Sequence, residues 1–158
     1  MTRPDALAPA RPRRAGPSRR GVGFTLLELL VALSVVGILA AAVWPSYLDH
    51  VQRSRASEAV QALSDARAAM EQHFLNNRTY EDGPCATSRT VESYTVACPA
   101  APTADTFRVR ATGSGPTAGF VYEIDHHGTT RTLGLPSGWG SVPSGGRPCW
   151  ITRRGQTC

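Results

Sequence analysis

The stretch that decides the fold begins at Phe24, ends at Trp44 and reads FTLLELLVALSVVGILAAAVW. Its 21 residues carry one charged side chain, the carboxylate of Glu28. An α-helix rises about 1.5 Å per residue, so this length spans about 31 Å, which is close to the hydrocarbon thickness of a bilayer. The sequence therefore predicts a helix over residues 24–44 that is long and apolar enough to cross a membrane.

The segment before this run, residues 1–23, is basic and lacks aromatic side chains. It contains six Arg, one Asp and four Pro, so it alone accounts for the net charge of +5 of the 158-residue chain. From Phe24 onward the chain is neutral, with 11 basic and 11 acidic residues. Such a leader cannot bury enough apolar surface to order itself, and we expect it to be disordered and to stay on the cytoplasmic side.

An ordinary secretory signal sequence is the alternative interpretation of the apolar run. Ala40, Ala41 and Ala42 resemble the small residues of a signal-peptidase site. The run is longer than the apolar core of a secretory signal, and Trp44 and Pro45 follow it. Retention of the helix is therefore favoured over its removal.

Beyond Pro45 the pattern predicts that the same helix continues as an amphipathic one. Apolar residues recur at helical spacing, with charged residues between them; they are Leu48, Val51, Ala59, Leu63, Ala66, Met70 and Phe74. We expect one helix from Phe24 to about Leu75, bent at Pro45, because proline lacks the backbone donor and clashes with the preceding turn.

The rest of the chain predicts a sheet. Short segments rich in β-branched and aromatic residues are separated by glycines, and His126-His127-Gly128 is a plausible hairpin turn. The candidate strands are residues 94–96, 106–112, 120–125, 129–133 and 149–153. A surface loop is expected at residues 134–148. The predicted fold class is α+β, with the long helix packed on an antiparallel sheet of about four strands.

Four cysteines, Cys85, Cys98, Cys149 and Cys158, lie in the second half of the chain. They lack the paired spacing of a zinc site, and their even number favours disulfides formed in an oxidising compartment. Of the three pairings that four cysteines permit, Cys85–Cys98 and Cys149–Cys158 join nearest neighbours and are the simplest.

The residues Gly23-Phe24-Thr25-Leu26-Leu27-Glu28-Leu29 closely resemble the prepilin signature of type IV pilins and of type II secretion pseudopilins. Further on, NNRTY at residues 76–80, CP at 98–99, TFRVRAT at 106–112 and CW at 149–150 are similar to PilE-like minor pilins. The family fold is the pilin fold, a long N-terminal helix on an antiparallel sheet.

The resemblance implies a maturation path. A prepilin peptidase, which is also a methyltransferase, would cut after Gly23 and methylate Phe24. Pro45 stands where the family has its helix-bending proline. Glu28, an ionisable group inside a membrane helix, needs a partner, and the α-amino group of Phe24 in the same or a neighbouring subunit is a natural one.

The resemblance also implies a division of the chain. Residues 1–23 are a cleaved leader, residues 24–44 form the transmembrane and later filament-core half of the helix, and residues 45–158 form the periplasmic or extracellular globular domain. The subunit would first sit in the inner membrane as a single-pass protein with a cytoplasmic N-terminus. It would then join other pilins, through the inner-membrane assembly platform, in an extracellular pilus of the kind that serves motility and adhesion.

The predicted function is structural, a minor subunit of a type IV pilus with a major subunit as the alternative, and no cofactor, metal site or enzymatic activity is expected. One alternative is a pseudopilin of a type II secretion system. Another is a DNA-binding pilin of an uptake apparatus, in which Arg153 and Arg154 near the C-terminus would contact phosphates.

Overall fold

The computed structural model describes residues 23–158, except for the side chain of Pro45. The expected disorder of the leader therefore lies outside the described residues at positions 1–22. The described residues divide into two compact units, one that ends at Leu39 and one that spans Ala40–Cys158.

The long helix, α1, spans Leu26–Asn77 and contains 52 residues. Thr25 caps its start, because the Thr25 Oγ1 atom accepts a hydrogen bond of 3.2 Å from the backbone N–H of Glu28. The helix ends where Arg78 adopts a left-handed φ of 58° and donates its N–H to the Phe74 carbonyl at 2.8 Å. The predicted helix is confirmed, with ends within about two residues of those expected; it runs through Pro45, where the bend stays a prediction.

Within residues 23–158, five strands form one antiparallel sheet in sequence order, whereas the expected sheet has about four. Each strand pairs with the next, as expected for a meander. The strands are β1 (Arg89–Val91), β2 (Tyr94–Ala97), β3 (Arg108–Gly113), β4 (Val121–Asp125) and β5 (Thr130–Gly134).

The predicted turn at His126-His127-Gly128 is confirmed as the link between β4 and β5. Gly128 has a φ of +81° and donates its N–H to the Asp125 carbonyl at 2.9 Å. The Asp125 Oδ1 atom accepts the N–H groups of His127 at 3.0 Å and Thr129 at 2.8 Å. The Asp125 carboxylate thus satisfies two of the backbone donors of the turn.

The core of the Ala40–Cys158 unit lies between one face of α1 and one face of the sheet. The helix contributes mostly small side chains, which allow the sheet backbone to approach closely; the buried helical residues are Ala56, Ala59, Ala62, Leu63, Ala66 and Met70. The sheet contributes larger ones, namely Tyr94, Val96, Val109, Ala111, Tyr122 and Ile124. The predicted stripe is buried or half-buried from Val51 to Phe74, whereas Leu48 is 46% exposed.

The predicted strand at residues 149–153 is wrong. This segment is held against the sheet by side chains instead of a backbone ladder. Thr132 donates its hydroxyl to the Cys149 carbonyl at 2.7 Å and accepts the Ile151 N–H at 3.0 Å, and Tyr122 donates its hydroxyl to the Ile151 carbonyl at 2.6 Å.

The predicted loop at residues 134–148 is confirmed as irregular chain, but it is not wholly on the surface. Trp139 is only 3% exposed, because its ring packs edge-on against Phe120 with centroids 4.7 Å apart.

Candidate functional site

The predicted processing site is accessible. Residues 23–25 precede the helix without regular structure, and Phe24 is 78% exposed. A Cβ atom added at Gly23 would meet no heavy atom within 4 Å. The peptide bond between Gly23 and Phe24 is thus free of steric cover by the rest of the described chain.

Glu28 lies in the first turn of α1, one helical turn from Phe24, and is exposed. A negative charge at this position interacts favourably with the positive end of the helix dipole. The pairing of its carboxylate with an α-amino group stays a prediction, since that amine exists only after cleavage.

Every described side chain of the helix up to Trp44 is exposed, and most are large and apolar. Leu26 is 77%, Leu33 68% and Ile38 71% exposed. An 18-residue window in this helix has a mean hydropathy of 2.6 with none of it buried, so α1 is long and apolar enough to span a membrane. A continuous apolar surface of this size marks a membrane or protein interaction site.

The two disulfides join Cys85 to Cys98 and Cys149 to Cys158, with Cα–Cα distances of 5.1 Å and 5.6 Å. The first ties the segment that follows α1 to the end of β2. The second closes a C-terminal loop that contains both Arg153 and Arg154.

The C-terminal loop is fastened to α1 by Arg154. Its Nε atom lies 2.9 Å from Asp49 Oδ1 in an ion pair whose angles do not make it a directed hydrogen bond. Its Nη2 atom donates to Gln52 Oε1 at 3.2 Å, and Trp139 donates its indole N–H to the same oxygen at 3.0 Å. Arg153 is exposed and makes no ion pair within residues 23–158. The two predicted DNA contacts therefore differ, because Arg154 is engaged within the fold.

Sequence reasoning missed a cavity of about 660 Å³ between the sheet and the segment that joins β2 to β3. Three arginines line it: Arg108, Arg110 and Arg131. The alternation in TFRVRAT was a usable signal, since it puts Arg108 and Arg110 on the same face of β3. The contribution of Arg131 required the strand register.

Burial and backbone hydrogen-bond donors shift the pKa values of one carboxyl group beside the cavity and of two tyrosine hydroxyls in the core. Burial raises the pKa of Asp125, but the N–H groups of Thr129 and His127 outweigh this effect and hold the pKa below its ordinary value. Burial raises the pKa of the Tyr94 and Tyr122 hydroxyls, so both stay neutral. Within residues 23–158, no three His, Cys, Asp or Glu side chains are grouped so as to hold a metal ion.

Two family models match adjacent parts of the chain. Residues 23–44 match the prokaryotic N-terminal methylation motif. Residues 45–120 match the model described as type IV minor pilin ComP, DNA uptake sequence receptor.

Curated relatives match over part of the chain. The chain is 40% identical over 55 residues to the type IV major pilin protein PilE1 of Neisseria gonorrhoeae, covering 35% of this chain and 33% of the relative. It is 36% identical over 61 residues to a fimbrial protein of Moraxella nonliquefaciens, covering 39% and 40%. The matched region thus spans only about a third of the length of the curated relatives.

Among solved structures, the fold is similar to a crystal structure of the Neisseria meningitidis non-core minor pilin PilV, with a TM-score of 0.50 and 18% sequence identity. The match covers 56% of this chain and 93% of that one. The methylation motif and these relatives agree with the helix-on-sheet architecture: the chain is similar to type IV pilins.

Proposed function

We propose that this protein is a structural subunit, specifically a minor pilin, of a type IV pilus. The observation that carries the proposal is the exposed apolar part of α1 from Leu26 to Trp44, in which Glu28 is the single charge. An apolar surface of this length needs a lipid or protein environment. Packing against the equivalent helices of other pilins buries this surface and stabilises the assembly by roughly 25 cal/mol for each Å² of apolar area removed from water.

The proposed maturation removes residues 1–23 and keeps the helix. A prepilin peptidase cuts between Gly23 and Phe24 and methylates the new amine. Before assembly the subunit spans the inner membrane once, with a cytoplasmic N-terminus, and the assembly platform moves it from the membrane into the extracellular filament. Its partners are the peptidase, the platform and other pilins.

Mass spectrometry of the mature N-terminus tests this proposal. The expected chain begins at Phe24 and carries one added methyl group. A chain that begins after Ala42, as a secretory signal would leave it, contradicts the proposal because the filament-core helix would be gone. Detection of the subunit in sheared filaments, and its absence from a type II secretion pseudopilus, separates a pilin from a pseudopilin.

DNA uptake is the second candidate function. It is favoured by one observation, the match of residues 45–120 to a family described as a DNA uptake sequence receptor. DNA retention by the mature protein in uncharged detergent micelles tests it, with Arg153→Ala and Arg154→Ala examined separately. Arg154→Ala also loosens the loop from Asp49, so only loss of retention in Arg153→Ala supports a phosphate contact by this loop.

A further inference from the structure

The cavity beside the sheet contains two arginines without protein partners. Arg108 and Arg131 line it, and within residues 23–158 neither side chain makes an ion pair or a hydrogen bond. By contrast, Arg110 donates from Nε at 3.2 Å and from Nη2 at 2.9 Å to Glu123 Oε2, whose side chain is only 4% exposed. Two guanidinium groups are therefore available to a ligand in this cavity, which we call the arginine groove after Arg108, Arg110 and Arg131.

Strand register explains why these side chains share one surface. Glu123 of β4 is paired with Arg110 of β3 on one side and with Arg131 of β5 on the other. Arg108 is paired in register with Asp125. Neighbouring strands lie about 4.8 Å apart, so β3 and β5 are about 10 Å apart across β4. Arg108 lies two residues along β3 from Arg110, so the Cα atoms of Arg108 and Arg131 are roughly 12 Å apart, which two arginine side chains that lean toward each other can bridge through a ligand.

The acidic groups near the groove do not neutralise both arginines. Glu123 is already occupied by Arg110, and Asp125 uses its Oδ1 atom to hold the turn after β4. With three arginines against these two carboxylates, the groove keeps a positive formal charge. A bound anion would supply the missing charge without displacing an internal ion pair.

The number of donors favours phosphate over carboxylate. In this fold one arginine fork donates twice to Oε2 of Glu123. A phosphate monoester has three terminal oxygens, one more than a carboxylate, and the two free oxygens of a phosphodiester can each accept from a separate fork. The cavity of about 660 Å³ is far larger than one phosphate ion and is of the size that holds small organic ligands. Pro99, Ala100 and Phe107 supply an uncharged wall.

We propose that this groove binds an organic phosphate, with the phosphate group held by Arg108 and Arg131 and the uncharged part against Phe107 and Ala100. The phosphate can belong to a small phosphate ester or to a nucleic acid. Only the nucleic-acid case rests on the second proposed function. Filament assembly does not depend on the groove.

The test uses the full mature chain in uncharged detergent micelles. Amide NMR signals are followed during titration with inorganic phosphate, with the dinucleotide thymidylyl-thymidine and with acetate at matched ionic strength. We expect saturable shifts in β3 and β5 with both phosphates and none with acetate. Arg108→Gln with Arg131→Gln should weaken phosphate binding about tenfold or more, as expected for loss of two charge-assisted contacts.

The matched control removes the same charge elsewhere, by Arg55→Gln with Arg78→Gln, and should bind phosphate as the unaltered chain does. Affinity that rises steeply with oligonucleotide length identifies nucleic acid as the source, and equal affinity for short and long probes identifies a small ester. Absence of saturable shifts, an equal response to acetate, or equal weakening in the control would overturn the proposal. Normal pilus incorporation of the groove variant keeps this result separate from the structural role.

Discussion

Glu28 is the residue at which the chain departs most from a simple apolar helix. Inserting a carboxylate within an apolar membrane helix costs a few kcal/mol on membrane-insertion scales. Glu28 therefore favours states in which a positive charge lies near its carboxylate. In the proposed filament that charge is the amine of a neighbouring Phe24. The sequence alone identified this residue, because one charge within an uninterrupted apolar run is visible without a structure.

We predict that Glu28→Gln leaves membrane insertion intact or improves it but lowers the amount of subunit in sheared pili by about tenfold, the loss expected for one partly buried ion pair. Quantitative immunoblots of pilus and membrane fractions measure this. Ser34→Ala is the control, since the Ser34 hydroxyl donates only to the Leu30 carbonyl of its own helix, at 2.7 Å. Equal incorporation of Glu28→Gln and Ser34→Ala would contradict the role of the charge.

The Asp125 carboxylate makes the stability of the domain depend on pH. Its pKa is lower in the folded chain than in the unfolded chain, so the carboxylate stabilises the fold above the ordinary carboxyl pKa of about 4. That stabilisation is lost as the pH falls through the folded-state pKa.

We predict that Asp125→Asn keeps an acceptor for the turn but flattens the fall in unfolding free energy between neutral pH and about pH 3. Denaturant titrations at several pH values measure the slope. Asp105→Asn, at an exposed position, is the control and should leave the pH dependence as it is. A parallel loss of stability with acid in the unaltered chain and Asp125→Asn would exclude this carboxylate as the source.

At the scale of elements, the spacing of apolar residues predicted secondary structure correctly where an element buries one face. The helix was predicted to within about two residues at each end because its apolar spacing persists over many turns. Alternation failed at residues 149–153, where the same pattern serves contacts to the side chains of Thr132 and Tyr122. Strand β1 was missed because three residues are too few to show a period.

The arginine groove could not be predicted for a different reason. Its lining comes from β3, β5 and the chain between β2 and β3, so its existence depends on register and on the path of a loop. The engagement of Arg154 by Asp49 was likewise invisible, since these residues are far apart in the chain and nothing local links them.

We predict that removing the C-terminal disulfide, by Cys149→Ser with Cys158→Ser, lowers the free energy of unfolding by roughly 2–3 kcal/mol, the loop-closure estimate for a short loop. The variant should also raise the solvent exposure of Trp139, because Arg154 and Trp139 share the acceptor Gln52. Denaturant titration and tryptophan quenching measure the two effects.

The control for this prediction is Cys85→Ser with Cys98→Ser. It opens a loop of similar length, with a sequence separation of 13 compared with 9, so the stability loss should be comparable. Trp139 exposure should not change in that variant. A rise in Trp139 exposure in both variants would mean general loosening rather than release of the C-terminal loop.

At the scale of the whole molecule, the apolar and globular parts of the chain differ in how much apolar surface they expose. The core lies entirely within the Ala40–Cys158 unit, whereas the exposed large hydrophobic residues are concentrated before it and at its start. One chain thus combines a folded domain with an exposed apolar surface that is unfavourable in water.

We predict that a chain consisting of residues 45–158 is monomeric in detergent-free buffer and unfolds cooperatively, whereas the chain from Phe24 requires detergent or assembles. Gel filtration with light scattering measures the oligomeric state, and thermal unfolding measures cooperativity. Aggregation of the shorter chain would show that the globular part needs the preceding helix to fold.

The shared acceptor at Gln52 also bears on the order in which the domain folds. Its partners Trp139 and Arg154 are 87 and 102 residues away along the chain, whereas the strands pair with their immediate neighbours. Contacts of such separation carry the largest loop-closure entropy and form late. The hairpins can therefore form first while Cys149 and Cys158 are still unpaired, and the docking of the C-terminal loop onto Gln52 is the last step of folding.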